Sequence, residues 1–393
     1  MAIIRSSGLL ILFCMLTLAI AKSVPKVDYD VIIIGGGPAG LSALSGLSRV
    51  RRTALLVDSG KYRNGLTRNI HDVIGNDGVV PSIFRYEARE QIKRYATAKM
   101  KNGTVLQVTP VNNVPGELPY FVVDINMSSE ASPSLVTKTA RKIVLATGIE
   151  DILPSTPGVS EAWSRGIFWC PWCDGFEHRD QPLGIIGDAT RFRDGVMHIA
   201  TLNHDIIAFT NGTQLPANET RDLEKNYNIK YNIFAIKNIT RVQDGAVHFN
   251  AQNRSEFDIF TVYFHGDAKP VNRSAFLTSF DQKQRSDLPY KLGLKMLNGK
   301  IENNFRGMTT SMPGVYAVGD CNNDDSTNVP HAMYSGKRAA VEIHLTLEHE
   351  NATSMKTPLR KRSQPLTVRE LEKRVEREIG NEFEALWRAR SRY

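Results

Sequence analysis

"YDVIIIGGGPAGLSALSGLSRVRRTALLVD", residues 29–58, is the stretch on which the fold turns. It opens with the β-branched run Val31 to Ile34, passes three glycines, continues with apolar residues every three or four positions, and closes on an apolar run ending at Asp58. A hydrophobic period that switches from strand to helix and back in so short a span predicts a βαβ unit. Gly35, Gly37 and Gly40 fit G-x-G-x-x-G at the strand–helix junction, with Pro38 and Ala39 between the last two. The first glycine permits the tight turn, the second lets backbone N–H groups approach a pyrophosphate, and the third lets the helix pack closely on the strand. Asp58, 18 residues after Gly40, is placed to accept hydrogen bonds from a ribose. Either NAD or FAD fits this fingerprint. The strand-end glycines of "LATG" (145–148) and of "GVYAVGD", ending at Asp320, select FAD.

Outward from this unit, "LPYFVVDINM" (118–127) and "RKIVLATG" (141–148) read as strands that close a first domain. "QPLGIIGDATRFRDGVMHIATLNHDIIAFTNG" (181–212) repeats the order strand, glycine, helix, strand. The expected fold is therefore α/β, with two Rossmann-like three-layer domains, the second inserted in the first. The FAD domain is expected at 26–154 and 268–354, with a degenerate pyridine-nucleotide-like domain at 155–267 carrying the cysteine pair. A strand and long helix between Pro289 and Leu347 return to the first domain. Residues 355–393 form a charged tail, in which Thr367 with Glu370 makes a capping box and Val368, Leu371, Val375, Ile379, Phe383 and Leu386 make an apolar stripe. "LRKR", ending at Arg362, resembles a dibasic processing site.

Arg5 followed by the apolar run Gly8 to Ala21, ending Ala19-Ile20-Ala21, predicts a signal peptide over residues 1–21; the run is short for a membrane span. Eight Asn-x-Ser/Thr sequons, at Asn102, Asn126, Asn211, Asn218, Asn238, Asn253, Asn272 and Asn351, agree with a glycosylated protein that is secreted or held in the secretory pathway lumen. The formal net charge is +8, yet residues 356–393 hold eleven Lys/Arg against six Asp/Glu, so the body is close to neutral. No nucleic-acid surface follows from the basic balance, and no membrane association is expected once the signal is removed. With 393 residues, 41% hydrophobic, the chain is long enough for two or three cores.

Removal of the signal takes Cys14 and leaves Cys170, Cys173 and Cys321, a redox pair plus one thiol rather than a disulfide framework. The pair lies in "FWCPWCDGFEHRD" (168–180). Zinc needs four ligands and no second Cys pair exists, so no metal is expected. Pro171 and Trp172 between the sulfurs fit an exposed, reactive dithiol whose first thiol has a lowered pKa. Asp174 is placed either to move protons or to cap the helix after the turn. His331, after the helix-opening Asn328-Val329-Pro330, is a second candidate base; His178 reads as a solvated loop residue, and Cys321 as a small buried filler.

Through these motifs, residues 28–350 resemble the low-molecular-weight thioredoxin reductases of the pyridine nucleotide-disulfide oxidoreductase type. The resemblance is closer to their fungal flavoprotein relatives that oxidise dithiols, secreted sulfhydryl oxidases among them. It implies a tightly held FAD and a homodimer. By position, FAD contacts would fall on Gly37 to Gly40, on Asp58, Ser59, Gly60, Lys61, Tyr62 and Arg63, on His71, on Asp320, and on Asn328 and Val329, with Val108 a looser match. It also implies that Cys173 faces the flavin while Cys170 exchanges with substrate.

A reductase of this type would need NADPH on the second domain. Here "IGDATRF" offers Gly187, then Ala189 and Phe192 where a second glycine and a small residue belong, and "AFTNGT" follows the next strand in place of arginines. The expectation is an FAD-dependent thiol oxidase that takes electrons from a small thiol or dithiol through Cys170 and Cys173 and gives them to O2, forming H2O2. Its rivals are a dithiol oxidase dedicated to a secondary metabolite, an NAD(P)H-dependent disulfide reductase, and a non-enzymatic flavin-binding protein.

Overall fold

The computed structural model describes residues 22–127, 134–187, 192–213 and 217–354; the N-terminal apolar segment, Ala189, and the tail with its processing site lie outside them. The opening stretch forms β1 (Tyr29–Ile34), α1 (Pro38–Arg49) and β2 (Ala54–Asp58). After helix α2 (Pro81–Lys93) come β3 (Ala98–Val111), β4 (Tyr120–Met127) and β5 (Ser134–Leu145). β1 lies parallel between β2 and the end of β5, with Val31 opposite Ala54 and Ile34 opposite Leu145. The start of β3 extends this sheet beyond β2, and Val315–Ala317 extends it beyond β5. From Gly103 onward β3 changes partner and pairs antiparallel with β4, which returns to β5 as a three-stranded meander.

Strands of a sheet covered on both faces are apolar at every position, since successive side chains serve opposite cores. On one face Val31, Ile33, Leu56 and Val144 pack under α1 and the long helix Val329–Ser354. On the other, Ile32, Ile34, Leu55 and Val57 meet Phe121 and Val123 of the meander. The long helix sits so close to α1 that a Cβ on Gly336 would come within 2.1 Å of the Ala39 carbonyl oxygen.

The second sheet is wholly parallel, in the order Lys230–Asn232, Ile206–Phe209, Leu183–Ile186, Ala275–Thr278, Ile167–Phe168. A three-stranded antiparallel ribbon (Ile236–Gln243, Ile259–Phe264, Val271–Arg273) accompanies it. Fully buried Phe209, Phe260 and Phe276 knit ribbon to sheet. The chain thus leaves the first sheet at Leu145 and rejoins it at Asn303, with the second unit inserted between. On the way out and back, Ile149–Asp151 and Gln282–Gln284 pair antiparallel as a two-strand hinge.

Candidate active site

A cavity of about 790 Å³ opens where the glycine turn, the end of β2 and the redox turn converge. That lies in the upper part of the roughly 300–1,000 Å³ range of ligand sites. Gly35 has φ +115°, and a Cβ there would lie 2.2 Å from the Ala146 carbonyl oxygen; a Cβ on Gly40 would lie 2.0 Å from that of Gly35. Both serve the fold. Gly37, by contrast, faces open space, and α1 begins at Pro38 with no side-chain cap on its N–H groups. Uncapped N–H groups at a helix N-terminus beside an open volume suit a pyrophosphate.

Asp58, buried at the end of β2, accepts from Gly60 N (3.0 Å) and bonds Tyr62 Oη and the Arg89 guanidinium. Ser59, Lys61 and Tyr62 line the cavity; Gly60, with φ +74°, makes the turn that lets them do so. Arg63 bridges Asp151 (2.7 and 2.9 Å) and Asp320 (3.2 Å), and its guanidinium stacks on Trp169 at 4.4 Å. Burial pushes the Asp320 carboxyl above its ordinary range against the pull of Arg63. Asn328 and Val329 line the far wall, where the Asn328 side chain accepts from His331 N at 2.8 Å as the cap of the long helix. Trp169 also lines the cavity, and its Nε1 is buried with no hydrogen-bond partner among the described residues. An open helix N-terminus, a ribose-side carboxylate and an orphaned ring donor fit FAD, the cofactor of this fold family.

The redox turn follows Ile167–Phe168 as one wide helical turn, Pro171–Gly175, then a tight one, Phe176–His178. Cys170 and Cys173 form a disulfide. Cys173 and Asp174 are among the residues lining the cavity, and Cys170 is not. Asp174 lies inside the wide turn, and the N-cap positions of the two turns are held by Cys170 and Gly175. Burial, reinforced by the charges of Glu177 and Glu256 and opposed by His178 and Arg68, pushes its carboxyl up to about 7. A carboxyl at that value exchanges protons near neutrality.

Three expected placements are corrected. His178 is no solvated residue: it is 2% exposed, with Nδ1 3.1 Å from the Asp174 carbonyl oxygen and Nε2 3.2 Å from Asp258 Oδ2. The tight turn drives its ring inward. His331 does not face the cavity; Asn328, Val329 and Ala332 do, one helical face apart, while His331 Nε2 turns to Asp324 at 2.6 Å. Val108 is buried in the meander core, and the wall on this strand is Gly103 to Leu106. A register shift between Val105 and Gln107 breaks the alternation on which counting along β3 depends.

His71 lines the cavity, with Nε2 3.5 Å from Glu177. Cys321 is fully buried, and burial pushes its thiol up to about 11. Residues that the sequence did not single out are Trp169, Thr147, Gln284 and Arg285, all on the cavity wall. Thr147 had a signal in its place within "LATG", and Trp169 in its place directly before Cys170.

At the end of Leu183–Ile186, the middle strand of the second sheet, lies a smaller cavity of about 280 Å³. Gly187, Thr210, Asn211 and Thr213 line it with apolar residues, and among the described residues no cationic side chain does. Phe192 is buried in the core under its helix, beside Leu183, Ile185 and Val196.

Residues 29–189 match the family model for pyridine nucleotide-disulphide oxidoreductases. A probable thioredoxin reductase of Arthroderma benhamiae is 46% identical over 379 residues, 92% of this chain and 91% of that protein. The thioredoxin reductase tcpT of Claviceps purpurea is 30% identical over 318 residues, 78% of this chain and 90% of that protein. Among solved structures, HlmI superposes with a TM-score of 0.71 at 29% identity, covering 83% of this chain and 94% of that one. A putative thioredoxin reductase TrxB from Bacillus anthracis gives 0.68 at 26% identity, covering 82% and 99%.

Proposed function

This chain belongs to the pyridine nucleotide-disulphide oxidoreductase family, with thioredoxin reductases among its relatives, and from that premise we propose that it is a secreted thiol oxidase. On this reading it converts small thiols or dithiols to disulfides and reduces O2 to H2O2. The observation that carries the proposal is the second cavity. A βαβ unit that binds NADPH holds the 2′-phosphate with a cation after its second strand. Here that position is Thr210-Asn211-Gly212-Thr213, and the space is about 280 Å³ against 790 Å³ for the flavin cavity. Without a nicotinamide donor, electrons enter through the cysteine pair.

A substrate thiolate attacks Cys170 Sγ, the sulfur of the cysteine that is not among the cavity-lining residues. The Cys170–Cys173 bond breaks and Cys173 leaves as a thiolate. A second substrate thiol attacks the mixed disulfide at the substrate sulfur, forming the substrate disulfide and releasing the Cys170 thiolate. Two electrons have then entered the protein and two protons have left the substrate thiols, one of which Asp174, beside Cys173, can hold. FAD, when bound, supplies the electron acceptor that restores the Cys170–Cys173 disulfide and from which O2 is reduced. Arg63 with Asp320 fixes one wall of the site, and Trp169 excludes water from it.

The reading extends to location and assembly. Exposed Asn102, Asn126, Asn211, Asn253 and Asn272, within sequons, support passage through the secretory pathway, and the family resemblance supports a homodimer. The relatives' name favours a rival, a disulfide reductase. An oxygen electrode with a peroxide assay on the purified yellow protein decides between them. One H2O2 per disulfide formed from glutathione or dithiothreitol, without pyridine nucleotide, is the expected result. No oxygen uptake with any thiol would overturn the proposal.

A further inference from the structure

The charges of His178, Glu256 and Arg68 that act on Asp174 belong to one ionic cluster, whose members are not among the residues lining the cavity. Arg68, on the loop after β2, reaches across to the inserted unit, with Nη1 2.8 Å and Nη2 3.0 Å from Asp258 and further pairs to Glu256 and Asp244. Asp258 is fully buried; it also pairs with Arg241 and accepts from Gly245 N at 2.9 Å. Two arginines already occupy its oxygens, so the trio His178, Glu256 and Asp258 is an ion-pair cluster and not a metal site. What these residues hold is His178. The ring bonds an acceptor at each nitrogen, the Asp174 carbonyl and the Asp258 carboxylate. Two acceptors at one imidazole require both nitrogens to donate, which makes the ring a cation.

We propose that His178 is a positioning residue for Asp174: a buried imidazolium, fixed by Asp258, that anchors the peptide of Asp174 and sets the field in which its carboxyl exchanges protons. The inference rests on the reading of Asp174 as the proton carrier of the redox turn. Its distinctive feature is the sign of each neighbour. The cations facing Asp174 are His178 from the following tight turn and Arg68 from the flavin-domain loop, with Arg241 behind Asp258 on the ribbon; the titratable His71 ring stands beside Glu177. The anions are Glu177 on the same turn and Glu256 and Asp258 on the inserted unit. Removing His178 charge should make Asp174 harder to ionise, and removing Glu256 charge should make it easier. The same balance favours the imidazolium: Asp258 and Glu256 raise the pKa of His178 above its ordinary value in spite of burial.

The test uses full-length, FAD-loaded protein and the anaerobic rate of reduction of the Cys170–Cys173 disulfide by dithiothreitol as a function of pH. Oxygen and the natural substrate play no part in that readout. The wild type should show an ionisation near pH 7 that is lost in Asp174→Asn. In His178→Gln it should move up by about one pH unit, the effect of one neighbouring charge. In Glu256→Gln it should move down. A folded, flavin-loaded His178→Gln protein with an unmoved ionisation overturns the inference. Should that variant fail to fold, an unmoved ionisation in Glu256→Gln overturns it equally. If the wild type has no ionisation that depends on Asp174, the proton-carrier reading falls and this inference with it; an ionisation present but unmoved sinks the inference alone.

Discussion

Asp174→Asn should stabilise the protein while disabling it, and the gain should depend on pH. Burial holds this carboxyl at about 7 against an ordinary 3.8. At about 1.4 kcal/mol per pH unit, ionising it in the folded state costs roughly 4 kcal/mol. The folded protein binds this proton more tightly than the unfolded chain, so stability falls as pH rises from near 4 to near 7 and stays low above it. Asparagine, nearly the same shape, carries no such penalty. At about pH 5 the folded carboxyl is still protonated and only the first part of the penalty has been incurred. By about pH 8.5 a further 3 kcal/mol or so has accrued, from about two pH units of titration. Urea unfolding of the FAD-loaded, disulfide-intact variant and wild type at both pH values measures the difference. The stability gain of the variant should be larger at the higher pH by about 3 kcal/mol, and thiol oxidation should fall by roughly 10²- to 10⁴-fold, the usual worth of a proton-transfer group. A gain of equal size at both pH values would refute the assignment of a raised pKa to Asp174.

Four other substitutions probe the frame around that group. Cys170→Ser and Cys173→Ser should each yield a folded, yellow protein without thiol oxidation, read by absorbance and thiol consumption; full turnover in either would remove the pair from the reaction. Gly40→Ala puts a methyl 2.0 Å from the Gly35 carbonyl oxygen and should cost about 1–3 kcal/mol in urea unfolding and release FAD at lower denaturant. Arg68→Met leaves Glu256 and fully buried Asp258 short of a partner and should cost about 3–5 kcal/mol, measured the same way.

Much of this fold was legible because its signals are local. The strand, glycine turn, helix and acid of residues 29–58 sit in one stretch, and two glycine tasks predicted from spacing reappear as close approaches, Gly35 against Ala146 and Gly40 against Gly35, while Gly37 borders open space. Cys170 and Cys173 likewise declare themselves by adjacency. What was illegible depends on distance or on a broken period. Nothing near His178 in sequence points to Asp258 or Arg68, which arrive from just before a ribbon strand and from the loop after β2. The ribbon itself gave no helical or strand–helix rhythm to read. Val108 was displaced by a bulge in β3, and His331 by the turn of a helix whose cavity-facing positions are Asn328, Val329 and Ala332.

The most direct test of thiol-to-oxygen electron flow is the anaerobic flavin spectrum of the purified protein, mixed separately with NADPH and with excess dithiothreitol, followed by admission of air. Bleaching by the dithiol alone, with recovery of colour and formation of peroxide in air, is the predicted result. Bleaching by NADPH in the absence of thiol would contradict it, and would mean that the small cavity beside Gly187 and Thr210 binds a pyridine nucleotide after all.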